Sequence, residues 1–348
     1  MQPFGGNRRS IPNRIDEKKI SSSSCLAGLR QMISTLTVSV VIATKNRRDD
    51  LRRAIASCLR QSASPEIVVI DDGSTDDTSE MVAREFPTVR LYRDRLSRSV
   101  VVQRNRGARL ASGEIVVSID DDAEFPSPHT IAQTLQEFGD PSVGAIAIPF
   151  INVTQGPEVL QRAPRRDGKF LTANFWGTAY AVRRQVFLEL GGYREVLGQE
   201  MEEEDFCIRM LDAGYFTVLG NADPIHHFFS PSRDNRWRNI RGARNRVLFC
   251  WYNVPMPDLL LHLPGICANR IAYGIRSGYV LEALRGIGEG LLDWLRHPGE
   301  RMPVSSAACR EFRSLRRLAG QPLETGRQRL ALGAPGRHPA PRGSVAPT

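Results

Sequence analysis

The amino-terminal half of the chain alternates short β-branched runs with stretches whose apolar residues recur at helical spacing. The first run, VSVVIA at residues 38–43, is apolar almost throughout, which is typical of a strand covered on both faces. The runs EIVVI at 66–70, VRLY at 89–92 and EIVVSI at 114–119 repeat the pattern. This alternation predicts an α/β fold, with a Rossmann-like, mostly parallel sheet flanked by helices.

Composition divides the chain of 348 residues into four parts. We expect a disordered basic arm at 1–35, the α/β domain at 36–254, a helical extension at 255–300 and a mostly disordered basic tail at 301–348. We find no run apolar enough to span a membrane and no apolar core of a secretory signal. The six cysteines form no CxxC pair, which favours a cytoplasmic location.

Polar residues follow three of the predicted strands. ATKNRRDD follows the first, DDGSTDD the second and DDD the fourth. Ligands of parallel sheets collect beyond the carboxyl ends of the strands, so these segments are expected to meet in one cleft. The first exit lacks the GxGxxG and GxxxxGK[ST] patterns, which argues against a dinucleotide or P-loop site.

Three adjacent carboxylates, Asp120, Asp121 and Asp122, end the fourth strand in a chain whose net charge is +9. Strand alternation would put Asp120 and Asp122 on one side and Asp121 on the other. Such oxygens are hard ligands that suit Mg²⁺ or Mn²⁺, and a bound cation would relieve their repulsion and accept phosphate oxygens. The alternative is a solvated acidic turn.

A second acidic cluster lies at residues 200–205, around the start of a helix predicted from Glu202 to Asp212. Negative charge at a helix amino terminus is favourable, and Asp205 can pair with Arg209 one turn later. One carboxylate could instead face a substrate as a general base. The adjacent His226 and His227 are candidate metal ligands, because neutral imidazole binds metals readily.

In this order and spacing, the motifs resemble family 2 glycosyltransferases of the GT-A fold. The resemblance extends over roughly residues 36–230 and includes RNRGARLASGEIVVSIDDDAEFP, FWGTAYAVRRQVFLELGGYRE and EEEDFCIRMLDAGY. It implies an inverting enzyme with a nucleotide-diphosphate sugar as donor, Mg²⁺ or Mn²⁺ as cofactor, and a glycan or lipid-linked acceptor.

The resemblance also implies roles for individual residues. Metal binding would fall to Asp122 and His226, with His227 less favoured, and Trp176 and Gly177 would line the sugar or acceptor pocket. The general base would be Glu203, with Asp205 second and Glu204 third. The nucleotide-binding residues would be Thr44, Asn46, Arg47, Asp71, Asp72, Arg104, Asn105, Asp120 and Asp121. Among them, Asp71 would contact the base of the nucleotide, and Asp72 would assist it.

Three further hypotheses concern rival functions and partners. The basic arms suggest a degenerate transferase domain that binds nucleic acid or nucleotides, but we expect no nucleic-acid partner, because the clustered acids would repel phosphates without a metal. A nucleotidylyltransferase could also use a strand-end D-x-D. The helices after residue 255 place Leu and Tyr beside Arg, which predicts peripheral contact with the inner face of the cell membrane.

Overall fold

A computed structural model of the chain describes residues 36–229, 234–296 and 301–333. The predicted arm at 1–35 and the end of the predicted tail lie outside these ranges. The thirteen strands of the described residues form two sheets. They are β1 Val38–Thr44, β2 Glu66–Asp71, β3 Arg90–Arg93, β4 Ile115–Ile119, β5 Ala123–Glu124, β6 Val143–Ala147, β7 Phe150–Asn152, β8 Val159–Leu160, β9 Phe170–Thr172, β10 Ala179–Arg183, β11 Phe216–Leu219, β12 Ile225–His227 and β13 Gln321–Pro322.

Helices connect and flank these strands. They are α1 Arg48–Leu59, α2 Thr78–Glu85, α3 Val100–Leu110, α4 Thr130–Glu137, α5 Arg184–Glu189, α6 Glu202–Asp212, α7 Asn235–Asn253, α8 Asp258–Ser277, α9 Val280–Arg296, α10 Ser306–Arg317 and α11 Leu323–Gly333. The predicted helix at Glu202–Asp212 is confirmed, and Gly214 ends its turn in the left-handed region at φ 87°.

The central sheet has nine strands in the order β13-β9-β11-β6-β10-β4-β1-β2-β3. Only β9 and β10 run against the other seven strands, so the predicted α/β fold with a mostly parallel sheet is confirmed. Most side chains of β1 and β4 are buried, because helices cover both faces of the sheet. The register pairs Thr44 with Asp71, so the exits of β1 and β2 lie side by side.

A smaller sheet, in the order β5-β12-β7-β8, lies beyond the end of β4. Its strand β12 pairs with β5, which begins directly after the three aspartates, and His227 is opposite Ala123 in the register. On its other side β12 pairs with β7, where His227 is opposite Asn152. This small sheet therefore brings a histidine from late in the chain to the acidic exit of β4.

The helical part begins at Asn235, about twenty residues before the predicted boundary at 255, because α7 packs with α8 and α9 rather than ending the α/β domain. Close packing depends on two glycines of α9. A Cβ at Gly286 would collide with the carbonyl of Ile240, and one at Gly290 would lie 2.8 Å from the carbonyl of Arg244. Within the described ranges, no helix combines the length and apolar character needed to cross a bilayer.

The prediction of a mostly disordered tail at 301–348 is wrong for residues 301–333. Helix α10 is amphipathic and buries Ala308, Cys309, Phe312 and Leu315, whose spacing is that of one helix face. After it, β13 pairs with β9 and adds the last strand to the central sheet. This segment is basic in composition but has enough apolar side chains to fold against the domain.

Candidate active site

A cleft of about 950 Å³ opens at the carboxyl ends of β1 and β4. Strand exits and the start of α6 supply its polar lining, and the amino-terminal part of α7 closes one side. Residues from all three predicted exit segments contribute, as expected for a parallel sheet. Lining residues that carry the chemistry discussed below include Thr44, Arg47, Asp72, Asp122, Trp176 and Glu203.

Asp120, Asp122 and His227 converge at the base of this cleft. One ligand atom from each side chain can be chosen so that all three lie within 4.8 Å of one another. The Nε2 atom of His227 is 3.2 Å from Oδ1 of Asp122 and 3.8 Å from Oδ2 of Asp120. Asp121 is outside this group and accepts a 2.8 Å hydrogen bond from the Thr44 hydroxyl. The predicted strand alternation does not explain this arrangement, because β4 ends at Ile119 and the aspartates lie in a turn in which the amide of Ala123 donates to the carbonyl of Asp120.

The surroundings of His227 fit a divalent cation. Asn152 donates from Nδ2 to Gln155, so its Oδ1 faces Nδ1 of His227 at 2.6 Å and accepts a hydrogen bond from that nitrogen. In the neutral imidazole this hydrogen bond leaves the lone pair on Nε2, which is buried without a hydrogen-bond partner among the described residues. A lone pair that faces two carboxylates suits a metal, and the partner on Nδ1 fixes the tautomer.

His226 does not share this site. It is the neighbour of His227 on β12, and adjacent strand residues point to opposite faces. Only His227 joins the two aspartates, so the structure favours His227 over the predicted His226 as the metal-binding histidine. The correction follows from how β12 pairs in the small sheet, which the sequence HH does not determine.

Arg47 lies over the same acids from the exit of β1. Its Nη1 atom is 2.5 Å from Oδ2 of Asp122 and 3.4 Å from Oδ1 of Asp121. Burial raises the pKa of Asp121 to about 7, although the charge of Arg47 opposes the shift. Arg47 therefore supplies positive charge at the place where the phosphates of a ligand would meet the acids.

Arg104 connects the two acidic clusters. Its guanidinium is buried and donates to Asp120 at 2.7 Å and to the carbonyl of Gly177 at 3.0 Å. Its other terminal nitrogen is 3.7 Å from Glu203 and 3.9 Å from Glu202. Arg104 was predicted to bind nucleotide; it lines the cleft, and its nearest charged groups are these carboxylates, whose charge it partly neutralises.

Glu202 and Glu203 begin α6 at the far side of Arg104. Burial raises the pKa of both carboxyl groups, in opposition to Arg104. Both residues line the cleft, where Glu202 is almost wholly buried and Glu203 retains some exposure. Gly177 lies against this pair, and a Cβ at that position would collide with the carboxylate of Glu203.

The other two candidate bases are engaged elsewhere. Asp205 is fully buried and accepts from Arg194 at 2.5 Å, Arg209 at 3.0 Å and Asn253 at 2.7 Å. Burial acts to raise its pKa, but these partners outweigh burial and lower it, so Asp205 is a structural anion rather than a base. Glu204 lines the cleft but pairs with Arg316 at 3.3 Å.

Three residues predicted to bind nucleotide hold loops instead. Asp71 is fully buried, and its two oxygens accept from Ser74 and Ser79. Asn46 adopts φ 54° and accepts from the amide of Thr75, which joins the loops after β1 and β2. Asn105 is buried on α3 and exchanges hydrogen bonds with the backbone of Tyr193.

Asp72, the second acid of the pair, does reach the cleft. It accepts from the Ser97 hydroxyl at 2.6 Å and from the amide of Arg98 at 2.8 Å, so it also fixes the loop before α3. The family resemblance implied that Asp71, rather than Asp72, contacts the base of the nucleotide. The two neighbours point in opposite directions at the end of β2, and Asp72 has the orientation that faces the ligand space.

Aromatic residues line the rim of the cleft. Trp176 was expected there and is half exposed, with its ring 5.5 Å from that of Phe150. Trp237 and Arg241 of α7 extend the lining on the other side. No local pattern indicates them, or Asn152, because each reaches the site through a contact between segments distant in the sequence.

Comparison with known proteins agrees with this architecture. Residues 39–191 match the sequence profile of "Glycosyl transferase family 2". An "Uncharacterized glycosyltransferase" of Haemophilus influenzae is 26% identical over an alignment of 201 residues. The match covers 54% of this chain and 66% of that protein, so this chain spans slightly less than two thirds of that protein's length. The "Glucosyl-dolichyl phosphate glucuronosyltransferase" of Haloferax volcanii is 26% identical over 281 residues, 73% of this chain and 88% of that protein.

Among solved structures, the chain resembles the mannosyltransferase PcManGT from Pyrobaculum calidifontis, determined in complex with GDP-Man and Mn²⁺. The TM-score is 0.52 at 18% identity, and the likeness covers 90% of this chain and 96% of that one. At this identity the likeness concerns the fold, which is GT-A. Over residues 39–191 the chain is therefore similar to family 2 glycosyltransferases. The named relatives and the solved structure are glycosyltransferases, which supports a transferase enzyme.

Proposed function

We propose that the chain transfers a sugar from a nucleoside-diphosphate donor to a hydroxyl group, with inversion at the anomeric carbon. The observation that carries the proposal is the position of Arg104. It lies between Glu203 and Asp120, and Asp120 forms a cluster with Asp122 and His227. A metal-assisted displacement needs side chains that can bind a divalent cation and a carboxylate with a raised pKa that can accept a proton.

The donor diphosphate would lie against the exit of β4. Asp120, Asp122 and His227 would hold a Mg²⁺ or Mn²⁺ ion there, and a bound ion supplies positive charge that offsets the charge growing on the leaving diphosphate. Arg47, 2.5 Å from Asp122, adds a second positive group close to the same oxygens. Asp72 faces the part of the cleft that the nucleoside would occupy.

Glu203 would act as the general base. It takes the proton of the acceptor hydroxyl as that oxygen forms a bond to the anomeric carbon, while the bond from this carbon to the diphosphate oxygen breaks. The attack comes from the face opposite the leaving group, which inverts the configuration. The half-exposed Trp176 at the rim offers an apolar ring face for the sugar or the acceptor.

We further propose a glycan or a lipid-linked glycosyl phosphate as acceptor. Support comes from two relatives: the Haloferax protein is named for a dolichyl phosphate substrate, and ExoU of Rhizobium meliloti, 33% identical over 131 residues, is named for succinoglycan biosynthesis. The basic residues Arg241 and Arg246, which α7 contributes to the lining of the cleft, suit a negatively charged acceptor.

The test is a thermal-shift screen of nucleoside-diphosphate sugars with and without Mn²⁺, followed by a transfer assay with the stabilising donor. We expect one donor to raise Tm only when the metal is present, and Glu203→Gln to keep this shift while it loses transfer. Stabilisation by no donor, or full transfer by Glu203→Gln, would contradict the proposal.

A further inference from the structure

Helices α8 and α9 expose an apolar surface that no other described segment covers. Nine of the fifteen large apolar side chains that are exposed in the described residues lie within residues 256–295. The hairpin face is a group of five such side chains on these two helices, with exposure up to 80% at Leu261. It consists of Leu260, Leu261, Ile275, Leu284 and Leu295.

The side chains of the hairpin face are exposed because other residues of the same helices make the contacts with the rest of the protein. Helix α9 buries its small residues: Gly286 and Gly290 pack on α7, and Ala283 lies beside Gly274 of α8. Leu284 and Leu295 of the same helix are exposed. A cluster of this size on one side of a protein marks an interaction site, because isolated apolar residues would be scattered over the surface.

The charges around this surface suit a negatively charged partner. Helices α8 and α9 contain four arginines and four carboxylates, and α7 contains five arginines and no carboxylate. Each of the four carboxylates pairs with an arginine: Asp258 with Arg313, Glu282 with Arg236, Glu289 with Arg285, and Asp293 with Arg244. Three of these partners come from outside α8 and α9, so Arg276 of α8 is exposed and makes no ion pair within the described residues.

We propose that the hairpin face binds the surface of an anionic lipid bilayer, with α8 and α9 parallel to the membrane plane. Neither helix is long and apolar enough to cross a bilayer, but an apolar face with arginines at its margin is the pattern of a helix that lies in the interface. Leucines enter the acyl boundary and arginines meet the anionic head groups.

This orientation would bring the candidate active site to the membrane. A groove of about 810 Å³ lies between α7 and α9, and Trp237 and Arg241 line both this groove and the cleft. The guanidinium of Arg241 lies over the ring of Trp237 at 5.5 Å, so a charged and an aromatic group mark the junction. This step rests on the proposed function, since it gives a lipid-linked acceptor a route to Glu203; the bilayer contact itself does not.

The test is flotation of the full-length protein with liposomes, without nucleotide or metal. Vesicles of phosphatidylcholine with phosphatidylglycerol should carry the protein to the top of the gradient, and binding should weaken at high salt. The partition coefficient of Leu261→Glu/Leu295→Glu should be lower than that of the wild type by about tenfold or more. The reason is that two leucines expected to enter the bilayer are replaced by charges that anionic lipid repels.

Leu318→Glu is the matched control, since Leu318 is 59% exposed but lies at the end of α10, outside the hairpin face. It should float as the wild type does, and circular dichroism should show all three proteins folded. No flotation of the wild type, or equal loss in both variants, would overturn the proposal. So would a wild-type dimer that Leu261→Glu/Leu295→Glu dissolves, because a second copy would then cover the face. None of these outcomes depends on transfer activity.

Discussion

Arg104 donates a 2.7 Å hydrogen bond to Asp120 while the same buried guanidinium lies 3.7 Å from Glu203. One cation thus neutralises both the candidate metal cluster and the candidate base. Without it, the carboxylates at the end of β4 and the start of α6 would face one another in a region from which water is largely excluded. Their repulsion would raise the pKa values further or open the cleft.

Replacement of Arg104 by Met should therefore destabilise the protein and abolish transfer. We expect a loss of about 3–5 kcal/mol in the free energy of unfolding, because buried anions lose their partner. Arg106→Met, two residues later on α3, is the control: Arg106 pairs with Asp94 nearer the surface and should cost about 0–1 kcal/mol. Urea unfolding of both variants measures this, and equal stability of the two would show that Arg104 has no central role.

Two acids of α6, Glu203 and Asp205, should affect different properties of the protein, catalysis for Glu203 and stability for Asp205. Glu203→Gln should reduce kcat roughly 10²- to 10⁴-fold with an unchanged Tm, since a general base contributes about that much. Asp205→Asn should instead lower Tm, because Arg194 and Arg209 would lose a charged partner. Paired measurements of kcat and Tm test this. A Tm loss in Glu203→Gln that accounts for its lost activity would contradict the assignment.

The two adjacent histidines should differ sharply in metal binding. His227→Ala should greatly weaken Mn²⁺ affinity, whereas His226→Ala should leave it nearly unchanged. Asn152→Leu removes the acceptor that fixes the ring of His227 and should weaken affinity about 10- to 100-fold. Asn152→Asp keeps an acceptor and should restore most of it. Titration of Mn²⁺ followed by electron paramagnetic resonance measures each value, and equal affinities for the two histidine variants would refute the choice of His227.

Asp71 and Asp72 should also give different defects. Asp72→Asn should raise KM for the donor, since Asp72 lines the cleft. Asp71→Asn should lower Tm by loss of the hydrogen bonds from Ser74 and Ser79, with little effect on the KM of the protein that stays folded. Steady-state kinetics at a temperature well below both Tm values distinguish them. If Asp71→Asn alone raised KM, the original assignment of the base contact to Asp71 would be restored.

The raised pKa of Glu203 sets the direction of the pH dependence. A base accepts a proton only as the carboxylate, so kcat should fall as the pH drops through the raised pKa. The fall should occur at a higher pH than for an exposed glutamate, whose pKa is about 4.3. Profiles of kcat at saturating donor and metal test this, and Mn²⁺ affinity over the same range reports separately on the metal cluster. A kcat that stays constant down to the ordinary glutamate range would argue against Glu203.

The sequence predicted features that depend on neighbouring residues. The strands and their polar exits follow from apolar runs. The grouping of Asp120 with Asp122 was predicted from strand alternation, but in the structure it arises in a turn after β4. Features that depend on distant pairing were not predictable: β12 pairs with β5 and β7, and this choice selects His227 over His226. The tail was misjudged on composition, although the spacing of Phe312 and Leu315 on α10 already indicated a helix.

The carboxyl-terminal segment braces the helix that carries Glu203. Arg316 pairs with Glu204 near the start of α6, and the amide of Ser305 donates to Asp212 at its end. The same segment caps the outer edge of β9 with β13, and an uncapped edge invites sticking between molecules. A premature stop before Ser305 would therefore do more than shorten the protein, because it would loosen the support of the base and leave a strand open to aggregation.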